Sequence, residues 1–221
     1  MNAQHSLGWF RDRLGKITGS QVGLIMKSGK NSDFTDTAKN YLYQVLAERN
    51  MNPAIVNDDE IFEEYIQQVD VKSKAMQWGN DQEENARNLY TTLTKRHIVE
   101  VGSCLHPAIP NFASSPDGFY HEDETGCIEI KCPNQSTYQK YVVEIKTAAD
   151  LLIVKPEYYW QCMAHMACIN ASWCDFIAYC PYQSNPIHIV RVNRDEDAIK
   201  KLETRILLAN KFLDNNGEIQ H

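Results

Sequence analysis

Two short stretches hold side chains suited to phosphodiester chemistry: Ser115-Pro116-Asp117-Gly118 and Glu129-Ile130-Lys131. Read alone, the first is a turn, with Pro, Asp and Gly in turn-favouring places. Read alone, the second is an acid and a base on a solvated strand face. Together they suggest more. Residues two apart in a strand share a face, so Glu129 and Lys131 project together while Ile128 and Ile130 face the other way. Asp117 stands twelve residues earlier, across a segment rich in Glu, Asp, Thr and Gly that reads as a hairpin. Adjacent strands lie about 4.8 Å apart. Both carboxylates can therefore reach one magnesium ion, a hard cation that prefers oxygen ligands. A lysine beside them can orient and help deprotonate an attacking water, or stabilise charge on the phosphorane.

The elements that must position these groups follow from periodicity and punctuation. Thr18-x-x-Gln21 has the form of a capping box opening a helix through Val22, Leu24, Ile25 and Met26. A Gly/Ser/Asn/Asp stretch at 28–36 ends it. Ala38, Tyr41, Leu42, Val45 and Leu46 mark a second helix, and 50–59 reads as a polar loop containing Pro53. Helices are expected at about 60–73 and after Trp78-Gly79. Strands are expected at 98–104, 112–120, 127–132, 173–182 and 187–192. Pro156 opens a helix ending near 170. Ile199, Leu202, Ile206, Ala209 and Leu213 form the stripe of a last helix, with Gly217 beyond its end. The fold class is α/β, a mixed central sheet with helices on its faces. One domain is expected over 1–221: helical over 1–97, a sheet core carrying Asp117, Glu129 and Lys131 over about 98–193, and a C-terminal helix over about 194–214.

Bulk properties agree with a globular protein. The chain has 221 residues, 43% hydrophobic and 23% charged, neither disordered nor membranous. No apolar run is long enough to span a bilayer, and residues 1–9 lack the pattern of a signal peptide. The cytoplasm is the expected compartment. The formal charge of −7 argues against loose adhesion to nucleic acid, while leaving room for an enzyme that encloses DNA with a few placed cations. None of the seven cysteines forms a Cys-x-x-Cys pair. Cys162, Cys168, Cys174 and Cys180 recur every six residues, and they are read as small buried hydrophobes in a reducing compartment. His97, His106, His121, His165 and His188 show no paired ligand spacing.

Pro116-Asp117 followed by Glu129-x-Lys131 resembles the core of the PD-(D/E)xK nuclease superfamily. Four blocks extend the likeness: Trp9-x-x-x-Arg13-Leu14-Gly15-x-Ile17-Thr18-x-Ser20, Trp78-Gly79-x-x-x-Glu83, Ser115-Pro116-Asp117-Gly118 and Glu129-x-Lys131-Cys132-Pro133. In this order, over about 9–182, they resemble the family of phage lambda exonuclease and YqaJ-type viral recombinases.

That resemblance implies an enzyme digesting one strand of linear duplex DNA from its 5′ end. It would leave 3′ overhangs for a single-strand annealing recombinase and work as a toroidal homotrimer threaded by DNA. It implies two magnesium ions, roughly 3.5–4 Å apart, with manganese able to substitute. Asp117, Glu129, the Ile130 carbonyl and Glu83 would hold metal, with Glu84 competing for the last place. Lys131 would be the catalytic lysine, and Gln161 would contact the active-site water or the lysine. Arg13, Ser20 and Ser115 match residues holding a terminal 5′-phosphate, and Ser20 would use the free N–H groups of a helix start. Met76 matches an apolar wedge that splits the terminal base pair. One departure stands out: Thr137 replaces the family's arginine in the phosphate pocket, with Lys140 a candidate substitute. Rival readings are a PD-(D/E)xK endonuclease, an iron–sulfur exonuclease, and a non-catalytic DNA-binding subunit on the same fold.

Overall fold

The computed structural model describes residues 2–69, 74–122 and 125–217. Its first part is helical, as the apolar periodicity requires: α1 (Leu7–Arg13), α2 (Val22–Ile25), α3 (Asp36–Arg49), α4 (Pro53–Asn57), α5 (Asp59–Val69) and α6 (Lys74–Thr94). Local side chains set the starts. Ser6 accepts from the Trp9 N–H and Thr35 from the Ala38 N–H, each satisfying a donor that a helix start leaves free. The expected capping box at Thr18 does not form. Thr18 is extended, pairs in β1 (Ile17–Thr18), and is followed by a 3-10 turn over Gly19–Gln21. Within the expected loop 50–59, Asn52 caps α4 through the Ala54 N–H, with Pro53 in the first turn. Helix α6 begins ahead of Trp78 and runs through Gly79, where an added Cβ would meet open space. The end of the helix expected at 60–73 lies outside the described residues, because 70–73 are not among them.

The remaining strands are β2 (Cys104–Leu105), β3 (Phe112–Ser114), β4 (Gly118–His121), β5 (Thr125–Lys131), β6 (Trp173–Tyr179) and β7 (Ile187–Asn193). They make two sheets, ordered β1-β3-β2 and β4-β5-β6-β7. The strand expected at 112–120 is thus two strands in different sheets, parted at Ser115-Pro116-Asp117, where proline has no N–H to continue a ladder. The strand expected at 98–104 reduces to a bridge between Val99 and Phe119 and the two residues of β2.

In the larger sheet β5 runs antiparallel to β4 and parallel to β6. A parallel pair needs a long crossover. Here it is α7 (Gln135–Glu144), α8 (Ala148–Val154) and α9 (Pro156–Ile169). Only α9 was expected. Asn134 caps α7 through the Thr137 N–H, and Thr147 with Asp150 forms the capping box of α8. The last helix, α10 (Glu196–Gly217), includes the glycine expected beyond it.

All of β6 is buried, as befits a strand covered on both faces. One face packs Cys127, Cys174 and Phe176 against α9, α2, α3 and α10. The other packs Ile128, Ile130, Trp173 and Ile177 against Ala86 and Tyr90 of α6. Asp175, 2% exposed, is satisfied by the Tyr90 hydroxyl at 2.6 Å and by Nε and Nη2 of Arg191. Near the start of β5, Gly126 lies under the Trp173 indole, and a Cβ there would come within 2.1 Å of the ring. Gly126→Ala is expected to lower stability by about 1–3 kcal/mol, the usual cost of overpacking. Urea unfolding followed by tryptophan fluorescence checks this.

Candidate active site

Strand β5 carries Glu129 and Lys131 on the face turned toward α9. Glu129 is fully buried, while Lys131, at the strand's end, keeps about a third of its side chain in solvent. The Lys131 ammonium donates to one Glu129 oxygen and lies 5.2 Å from the centre of the Tyr158 ring. The other Glu129 oxygen is 2.6 Å from His165 Nε2, and His165 Nδ1 is 2.7 Å from the Ser114 hydroxyl. A carboxylate only accepts, so Nε2 carries the proton that reaches Glu129. Burial works against ionising Glu129. The Lys131 charge and the His165 hydrogen bond outweigh it and hold the carboxyl below its usual range. Burial likewise pulls on Lys131, but Glu129 and Asp117 raise it, so it stays charged.

Asp117 occupies the break between β3 and β4. Its N–H donates to the Ile128 carbonyl at 3.0 Å, and its side chain accepts from the Ile130 N–H at 2.6 Å. The aspartate is therefore pinned beside Glu129, as the strand argument required. Burial and the charges of Glu129 and Glu83 push it well above the usual carboxylate range. Glu83 is half-buried on α6 and feels the charge of Glu129, whereas its neighbour Glu84 is exposed. Burial, then repulsion from Glu129, raises Glu83 to about 7. Arg87, one turn along α6, donates to the Asp117 carbonyl at 3.0 Å and pairs with Glu100 at 3.3 Å. Gln161 is buried on α9, one helical turn before His165.

Among the described residues, no three His, Cys, Asp or Glu side chains already stand in ligating geometry. The reason is local: both oxygens of Glu129 and one of Asp117 are engaged by protein donors. The donor set still fits a hard divalent cation. Three carboxylates crowd together, and two are held above their usual range, a repulsion that a cation would relieve.

A second cluster adjoins the first. Arg13 Nη1 and the Trp9 indole N–H each donate to the Ser115 hydroxyl at 3.2 Å, and the Arg13 guanidinium lies 4.2 Å over the Trp9 ring. Burial draws Arg13 below its usual value. Gly19 lies against Ser114, where a Cβ would come within 1.9 Å of its hydroxyl. That contact brings the turn carrying the exposed Ser20 onto the end of β3, next to Ser115. Ser20 thus sits in a 3-10 turn and not in the first turn of an α-helix. Lys140 reaches for Glu144 on α7, one turn after Thr137. The side chain of Met76 lies outside the described residues.

His165, Ser114, Arg87 and Tyr158 were not among the expected site residues. The signal for His165 was present, because Gln161 and His165 are four apart and share a helix face. The seven cysteines are free thiols, five of them buried, as small apolar side chains would be.

A sequence description of the YqaJ-like viral recombinase domain matches residues 8–172. The chain belongs to this family. Among solved structures it is similar to the alkaline exonuclease LHK-Exo from Laribacter hongkongensis: 30% identity, TM-score 0.78, covering 96% of this chain and 95% of that one. The same exonuclease in complex with dAMP matches at 31% identity and TM-score 0.77, with equal coverage. A phage related exonuclease from Haemophilus somnus shares the fold at 17% identity and TM-score 0.64, covering 90% of this chain and 94% of that one. No curated protein matches the chain by sequence. The YqaJ-like fold is an α/β, PD-(D/E)xK-like architecture, and no described helix is long and apolar enough to cross a membrane.

The raised Glu83 gives a signed prediction for the metal-free protein. An acid whose folded value lies above its unfolded one favours folding while protonated. That stability is lost as pH rises from about 4.5 to about 7. In a chelator, the Tm is expected to fall over this window. Glu83→Gln is expected to flatten the fall, as thermal melts across pH will read.

Proposed function

We propose that this chain is a magnesium-dependent exonuclease that digests one strand of linear duplex DNA from its 5′ end, releasing mononucleotides and leaving 3′ overhangs. Nuclease action on DNA accords with the family and with the exonuclease likeness at 30% identity. The observation that carries it to a site is the pairing of buried Glu129 with Lys131 beside an aspartate pinned by the Ile130 N–H.

The chain's own groups divide the work. Lys131, held charged, stabilises negative charge growing on the phosphorane and orients the attacking water. Gln161 supports the lysine or the water from α9. Arg13 and Ser115, with Ser20 at the adjoining turn, receive the terminal 5′-phosphate, for which a guanidinium fork is well shaped. Asp117, Glu129, Glu83 and the Ile130 carbonyl would hold magnesium or manganese, which supplies charge neutralisation and Lewis acidity at the phosphate. Assembly as a homotrimeric ring belongs to the same reading. A ring retains DNA by topology, which suits a chain of net charge −7. The overhangs would pass to a single-strand annealing recombinase.

Digestion of linear duplexes labelled at the 5′ or the 3′ end, beside a closed circle, tests the reading. Early release of mononucleotides from 5′ ends with the circle intact is expected. A cut circle would make the enzyme an endonuclease, and inertness in magnesium and manganese would leave a DNA-binding relative. Lys131→Ala is expected to lower the cleavage rate by about 100- to 1,000-fold, the usual loss on removing one transition-state donor, with DNA affinity nearly unchanged in gel shifts. Arg13→Ala is expected to erase the preference for 5′-phosphoryl over 5′-hydroxyl ends. Kinetics on the two duplexes will show it.

A further inference from the structure

Burial leaves Glu129 with no water to orient it, so its two neighbours fix its position. One is Lys131, its companion on β5. The other is His165, itself fully buried, whose opposite nitrogen is bonded to the fully buried Ser114. The three side chains come from separate elements: Ser114 from β3, His165 from α9, Glu129 from β5. Glycine at position 19 leaves the space that the Ser114 hydroxyl fills.

We propose that His165 is a positioning residue: seated by Ser114, it captures one oxygen of Glu129 and so presents the other to Lys131 or to a divalent cation. The proposal rests on the metal-site reading above. Histidine suits the task because its ring places two polar nitrogens on opposite edges of a rigid plane. Groups that hold a ligating side chain from behind commonly change metal affinity or activity by about 10- to 100-fold when removed.

Two isosteric variants separate the ring's two bonds. Asparagine reaches about as far as Nδ1, so His165→Asn keeps the Ser114 side and loses Glu129. Glutamine reaches about as far as Nε2, so His165→Gln keeps the Glu129 side. Magnesium and manganese binding to the full chain, measured by calorimetry without DNA, is the first readout; kcat and KM on linear duplex are the second. His165→Asn is expected to weaken metal binding by about 10- to 100-fold and to lower kcat with KM for DNA unchanged. His165→Gln is expected to stay near the unmodified chain on both counts. Equal behaviour of the two variants, or unmodified metal affinity in His165→Asn, would overturn the proposal. Ser114→Ala, a small change, should show a weaker loss in the same direction. If neither histidine variant folds, unmodified metal affinity in Ser114→Ala overturns the seating role. Absence of metal binding in the unmodified chain would instead overturn the metal-site reading itself.

Discussion

A carboxylate without solvent in the middle of a sheet must be paired on both oxygens, and much of this structure answers that demand at Glu129. An ionised group loses several kcal/mol of hydration on burial unless nearby donors and charges replace water. Lys131 is one answer, set by strand period alone. The second answer must come from outside the strand. The parallel pairing of β5 with β6 requires a crossover, and the crossover's last helix packs on the face where Glu129 points. Topology thus brings His165 to the carboxylate.

The break at Ser115-Pro116-Asp117 does comparable work over a few residues. Because the chain leaves one sheet and joins another there, side chains that a continuous strand would alternate are released to different tasks. Ser114 faces His165, Ser115 faces Arg13 and Trp9, and Asp117 turns back onto the Ile130 N–H. A turn-forming sequence is what couples the Arg13 cluster to the carboxylate cluster. The turn-forming residues of Ser115-Pro116-Asp117-Gly118 are therefore compatible with the chemistry proposed for Asp117 and Ser115.

How far the site could be read beforehand follows the same physics. Asp117, Glu129 and Lys131 were legible because a period of two and one hairpin involve near neighbours. Arg13 and Ser115, 102 residues apart, came together only through family likeness, since no local rule spans that distance. His165 was passed over because its partners lie on β3 and β5, far off in sequence. Helices α7 and α8 were missed because their caps, Asn134 and Thr147, sit in polar stretches that read equally well as loop. The supposed strand at 98–104 has apolar residues but almost no ladder, since the chain there meets β4 at a single bridge. Local propensity was overridden by where the sheet had room.

On the proposed function, the metal-free arrangement and the working one differ, and the lysine shows why. Lys131 now neutralises Glu129, the carboxylate on which the proposed metal site depends, while Glu83 and Asp117 remain crowded and reluctant to ionise. A divalent cation among these three acids would take over the neutralising role with twice the charge. The ammonium would then lose its strongest partner inside the protein while keeping its place over Tyr158. The nearest large negative charge left to it would be a phosphate entering beside the Arg13 cluster. On the proposed function, one lysine thus serves both states, holding the carboxylate when metal is absent and turning to the substrate when metal arrives. The arrangement works only if Glu129 itself stays fixed as the lysine moves, and that constraint falls on His165.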